Sequence, residues 1–297
     1  MKILKISLVI FFLMCLNVCT QEDNSADLTG PYFGQILPGN TPEIFAPGII
    51  SKNDSQEFAC TFSPDGKEFF FTRRPTKENF QGQRIWYTKE IDGQWTEPSL
   101  APFTYDCFEL EPFISPDGMR LYYGTTRPLP GSTTTSEMPS IWVAPKTETG
   151  WGTPEYFAPL MMYVSETNNK DLYYSDLAMG GYIAVKKWNG SSYDSAEKLS
   201  SNINYVNSPA HPHIAPDGSY LLYDGEANNG YRDLYVSFKN EDNTWARGIY
   251  LEGGINTTND EMCPSISPDG EYLFFESDRS GNMEIYWVNM DVIESLR

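Results

Sequence analysis

Ser63-Pro64-Asp65-Gly66 lies between a short β-rich run and the aromatic stretch Phe69-Phe70-Phe71. Proline presets φ, aspartate can bond its own backbone, and glycine takes the positive φ that a hairpin needs. The tetrapeptide returns as Ser115-Pro116-Asp117-Gly118 and Ser267-Pro268-Asp269-Gly270. Ala215-Pro216-Asp217-Gly218 is a near copy and Glu166-Thr167-Asn168-Asn169 a decayed one. Each precedes an aromatic strand, the later ones being Leu121-Tyr122-Tyr123, Leu172-Tyr173-Tyr174, Leu221-Leu222-Tyr223 and Leu273-Phe274-Phe275. Measured at the turn glycine, or at Asn169 in the decayed copy, the steps are 52, 51, 49 and 52 residues. Repeats of about 40–50 residues, each able to supply four strands, predict a β-propeller.

Within a repeat, one strand precedes the turn, the aromatic strand follows it, and a third strand comes next, as in Ile85-Trp86-Tyr87 or Ile285-Tyr286-Trp287-Val288. A second polar turn then leads to a large aromatic, Trp95, Trp151, Tyr193 or Trp245, which opens the outer strand and is expected to pack between blades. The last repeat stops early, because only 27 residues follow Gly270. Thr41-Pro42-Glu43-Ile44-Phe45-Ala46-Pro47 matches the outer-strand segment Thr153-Pro154-Glu155-Tyr156-Phe157-Ala158-Pro159 at six of seven positions. The expected fold is therefore all-β: a single propeller of five four-stranded blades over residues 41–297, closed by an N-terminal strand that completes the last blade. Closure removes edges that would otherwise invite aggregation.

The bulk composition fits a folded all-β protein, with 14% aromatic and 21% charged residues in 297. A formal net charge of −19 repels phosphate backbones, so nucleic acid is not an expected partner. Lys2 and Lys5 precede an apolar run, Ile6–Leu16, with the form of a signal-peptide h-region but too short to span a bilayer stably. Leu16-Asn17-Val18-Cys19 resembles a bacterial lipobox, with Val18 where a small residue is usual, and Val18-x-Thr20 offers ordinary cleavage instead. Residues 1–19 are thus assigned as a signal peptide with Cys19 as lipidation site, and 20–40 as a tether. The expected location is the periplasm, outer membrane or cell surface, with membrane contact only through that lipid. Export implies an oxidising compartment, yet Cys60, Cys107 and Cys263 are odd in number and are read as buried free thiols.

The Ser-Pro-Asp-Gly turns, the aromatic strands and Ser277-Asp278-Arg279-x-Gly281-Asn282 before Ile285-Tyr286 resemble the WD40-like repeat of the TolB type over residues 42–288. That resemblance implies a bacterial, exported propeller that serves as a binding scaffold. TolB itself is six-bladed with an extra N-terminal domain, and this chain has the pattern for neither.

Strand direction puts the Pro-Asp-Gly turns on one face and the irregular segments on the other, including 75–83, 128–139, 106–111, 204–213 and 256–261. Variable loops on a rigid scaffold are the usual carriers of function. Glu57, Glu109 and Glu261 share one phase, six residues before the serine of each turn, and Glu111 and His211 stand two residues later. Strict alternation would aim all of them into the central channel. The catalytic candidates are Glu109, Glu111, His211, His213 and Glu261; the binding candidates are Arg73, Arg127, Arg279 and Asp260. His211 and His213, at i and i+2, would face one side of a strand, so a divalent metal is the one cofactor alternative to none. The plainer reading is that channel carboxylates bond neighbouring amides. No Gly-x-Ser-x-Gly, phosphate-cradling glycine loop, Cys-x-x-Cys or His-Glu-x-x-His pattern occurs. The leading expectation is a monomeric, non-catalytic scaffold for a protein or glycan partner. The alternative is a lyase or hydrolase of acidic glycans with its site at the channel mouth.

Overall fold

The computed structural model describes residues 28–297 except 179 and 228. The signal-peptide and Cys19 assignments lie outside those residues. Each repeat forms one antiparallel sheet. Blade 1 runs outward through Gln56–Phe62, Glu68–Arg74, Arg84–Ile91 and a two-piece outer strand, Gln94–Trp95 and Ser99–Leu100. Blade 2 comprises Glu109–Ile114, Arg120–Thr125, Ser140–Thr147 and the outer pieces Gly150–Trp151 and Glu155–Pro159. Blade 3 comprises Met161–Glu166, Leu172–Asp176, Tyr182–Lys186 and Glu197–Lys198, and blade 4 Asn207–Ile214, Tyr220–Glu226, Arg232–Phe238 and Ile249–Tyr250. Blade 5 comprises Glu261–Ile266, Tyr272–Ser277 and Glu284–Asn289, and its outer strand is Glu43–Ile44. The ring of five is closed: Glu43 pairs with Trp287 and Ile44 with Tyr286, and the innermost strands of blades 1 and 5 touch.

The turns behave as their chemistry dictates. Ser63 Oγ donates to Asp65 Oδ1 at 2.6 Å, and Ser115 and Ser267 repeat the bond to Asp117 and Asp269 at 2.5 Å. The decayed copy is offset by one residue from its expected alignment. Lys170, not Asn169, takes the positive φ of 68°, and the loop to Leu172 is one residue shorter than its counterparts.

Aromatic clusters fill the gaps between blades. Trp95 lies between blades 5 and 1, Trp151 between 1 and 2, Tyr193 between 2 and 3, and Trp245 between 3 and 4. The expected tether is corrected where it is described, because residues 28–35 pack into the ring. Tyr32 and Phe33 are buried, Phe33 packs at a tilt with its ring 4.4 Å from that of Trp95, and Tyr32 Oη donates to Asp269 at 2.7 Å. Two aromatics beside the closing strand bury more apolar surface there than a solvated tether could.

Candidate functional site at the propeller axis

Each innermost strand breaks its alternation at the same position. Ala59, Glu111, Tyr163, His211 and Cys263 have φ of 45°, 57°, 46°, 48° and 52°, and the pairing register slips there in every blade. A bulge re-aims the side chains on either side of it. The expectation that one parity lines the channel therefore fails.

Glu57, Glu109 and Glu261 are fully buried and hold the linkers that enter their blades. Glu57 accepts from Ser55 Oγ at 2.5 Å and Arg73 Nε at 2.7 Å. Glu109 accepts from Tyr105 N at 2.9 Å, and Glu261 from Thr257 N at 2.7 Å and Ser277 Oγ at 2.7 Å. Burial raises the pKa of Glu57, and that of Glu109 to about 7 against the pull of its amide bonds.

The arginines point inward to the same linkers. Arg73 donates to Ile50 O at 2.7 Å, Arg127 to Phe103 O at 2.6 Å, and Arg279 to Gly254 O at 2.8 Å. Asp260 accepts from Arg232 N at 2.9 Å and joins blades 4 and 5. These contacts are structural ties, so the sequence-based binding candidates do not converge on an open site.

Two candidates do reach the axis, and residues that sequence reasoning missed join them. Thr72, Gly124, Ser175, Asp224 and Glu276 occupy one position of the second strand, each paired with the residue just before the bulge. Thr72 Oγ1 accepts the bulge amide of Glu111 at 2.9 Å, Ser175 Oγ that of His211 at 3.1 Å, and Asp224 Oδ2 that of Cys263 at 3.1 Å. Gly124 has no side chain to offer. Glu111 Oε2 accepts the Tyr163 amide instead, at 2.9 Å.

Asp224 is the hub. His211 Nδ1 lies 2.5 Å from its Oδ2, and Arg232 Nε donates to its Oδ1 at 2.6 Å. Glu111 Oε1 stands 3.6 Å from His211 Nε2. Burial alone would lower the His211 pKa, but the Asp224 and Glu111 carboxylates raise it to about 10. Burial would raise that of Asp224, and the His211 and Arg232 charges hold it low instead. Glu276 is buried with Oε2 unpartnered among the described residues. Burial, aided by the Asp224 and Glu111 charges, raises its pKa to about 8. Tyr163 reaches from blade 3 to blade 5, donating to Pro264 O at 2.7 Å, and packs with Phe58, Ala59 and Cys263 across the axis.

His213 does not share the His211 site. Its ring packs edge-on to Phe113 at 5.8 Å, and burial lowers its pKa to about 3. Among the described residues no group of three His, Cys, Asp or Glu is placed to hold a metal ion. The bulge separates the histidine pair, so the two imidazoles do not face one site. Cys60, Cys107 and Cys263 are free and buried.

The irregular face carries an open groove of about 560 Å³ over blade 4. Tyr205, Tyr235, Tyr250, Arg247 and Asp233 line it. Tyr250 is 40% exposed, whereas Asp233 is buried and its Oδ1 makes no hydrogen bond among the described residues.

No protein-family model matches the chain, and no curated protein matches it in sequence. Solved structures do. A structure assigned as TolB from Agrobacterium tumefaciens is 15% identical with a TM-score of 0.52, covering 80% of this chain and 78% of that one. TolB from Acinetobacter baumannii is 13% identical with a TM-score of 0.43, over 78% of this chain and 54% of that one. The catalytic domain of the Coprinopsis cinerea GH62 α-L-arabinofuranosidase is 12% identical with a TM-score of 0.49, over 85% and 97%. Identities of this order describe a shared fold and assign no activity.

Proposed function

We propose that the chain is an exported binding module whose irregular face holds a glycan chain in the groove over blade 4. One contrast carries the reading. The linker carboxylates and Asp224 already bond the chain itself and axial Glu276 is buried, whereas the groove is open, with Tyr250 exposed and Asp233 in its lining. Tyrosine faces stack on the C–H side of a sugar ring, and a carboxylate with a nearby guanidinium takes up its hydroxyls. An open groove suits a chain better than a monosaccharide. A lipid-anchored or periplasmic location, expected from residues 1–19, would place the groove before cell-envelope polymers.

The test is calorimetric titration with neutral and uronic-acid oligosaccharides, with product analysis in parallel. Binding without turnover is expected, weakened about tenfold by Tyr250→Ala. A protein partner that binds through the same face while every glycan fails would replace the glycan.

The second reading, a carbohydrate-active enzyme, rests on the axial His211–Asp224 pair, with Glu111 held nearby and Glu276 raised to about 8. Carboxyls with separated pKa values are how acid and base roles divide. Glycan turnover abolished by His211→Ala would select it.

A further inference from the structure

The opposite mouth of the axis, ringed by the Pro-Asp-Gly turns, holds a cavity of about 330 Å³ lined from all five blades. Four repeats contribute apolar walls, Phe62, Ile114, Ile214 and Ile266, under a rim of Pro64, Pro116, Pro216 and Pro268. The decayed repeat differs at both levels, placing Glu166 where the others have an apolar residue and Asn168 where they have proline. Glu166 is already held by Arg120 at 2.7 Å and Tyr122 at 2.8 Å. Beside this polar segment His213 lines the cavity, 7% exposed, with Nδ1 lacking any hydrogen-bond partner among the described residues. A buried imidazole left without a partner costs stability, and a ligand that supplies one restores it.

We propose that this cavity binds a small neutral molecule with an apolar ring and one hydroxyl, a phenol or aromatic alcohol, whose hydroxyl bonds His213. The walls fit the ring and exclude a bare charge, since Phe and Ile offer no compensation for lost hydration. Anions are further opposed by Glu166 in the wall and Asp269 at the rim. A hydroxyl satisfies either tautomer of a neutral imidazole, because it both donates and accepts. The site is independent of the groove over blade 4, so either can fail without the other.

The experiment is titration of the full chain with 4-methylphenol, toluene and benzoate, followed by calorimetry and by the His213 ring signals in NMR. Expected are saturable 4-methylphenol binding that shifts those signals, toluene at least tenfold weaker, and no benzoate binding. His213→Leu should reduce the phenol to the toluene level. Asn168→Trp, at an exposed rim position, should block entry with the melting temperature unchanged. Absence of phenol binding to millimolar concentration, equal affinity for toluene, or binding indifferent to Asn168→Trp overturns the proposal.

Discussion

His211 Nδ1 lies 2.5 Å from Asp224 Oδ2, and that one carboxylate also receives Arg232 and the Cys263 amide. A single buried acid therefore neutralises two cations and fastens blade 4 to blade 5. Asp224→Asn should cost about 3–5 kcal/mol in chemical denaturation, since it leaves buried charge uncompensated. The pair also sets a pH dependence. The folded pKa of His211 is about 10 against an ordinary 6.5, so its stabilisation is complete below about pH 6.5 and is lost as pH rises towards 10. In Asp224→Asn that alkaline loss should vanish, and NMR titration of His211 should show a pKa below 10; an unchanged curve would refute the pairing.

Glu276 acts in the same sense, in a lower pH window. Its folded pKa of about 8 exceeds the ordinary 4.5, so the folded chain holds a proton that the unfolded chain releases between these values. Wild-type stability should fall with pH across that window because of this group. Glu276→Gln should remove that part of the slope and raise the melting temperature at pH 8 while leaving it little changed at pH 4.

Leucine at position 213 should stabilise the protein. His213→Leu removes an unpartnered buried ring nitrogen beside Phe113, and a gain of about 1–3 kcal/mol is expected in urea unfolding. A loss of stability would mean that the imidazole is partnered after all.

Closure rests on few contacts. Phe45 is fully buried and packs on Phe33, Phe69, Phe274 and Trp287 at 5.0–5.5 Å. Phe45→Ala should cost about 3–5 kcal/mol. Because it sits on the seam, hydrogen exchange should quicken first in Glu284–Asn289.

The blades and their closure were legible because turn chemistry and strand alternation are local, and a repeated local signal is hard to mistake. The match between Thr41–Pro47 and Thr153–Pro159 even located the closing strand. The axis was not legible in the same way. Nothing in Ala59, Glu111, Tyr163, His211 or Cys263 as residue types announces a positive φ, and that one backbone choice redirects Glu57, Glu109 and Glu261 into the linkers. A signal for Asp224 and Glu276 did exist. They are acidic residues at the end of otherwise aromatic strands, at the position where blades 1 and 3 have Thr72 and Ser175. The burial of Tyr32 and Phe33 has no local signal, because their partners, Trp287 and Trp95, come from the last and first repeats.

A ring sealed between Ile44 and Tyr286 imposes an order on synthesis. The first strand to leave the ribosome must wait, unpaired, until nearly the whole polypeptide has followed it. During that interval its backbone donors are open to neighbouring chains. The ring cannot lock before Glu284–Asn289 have been made.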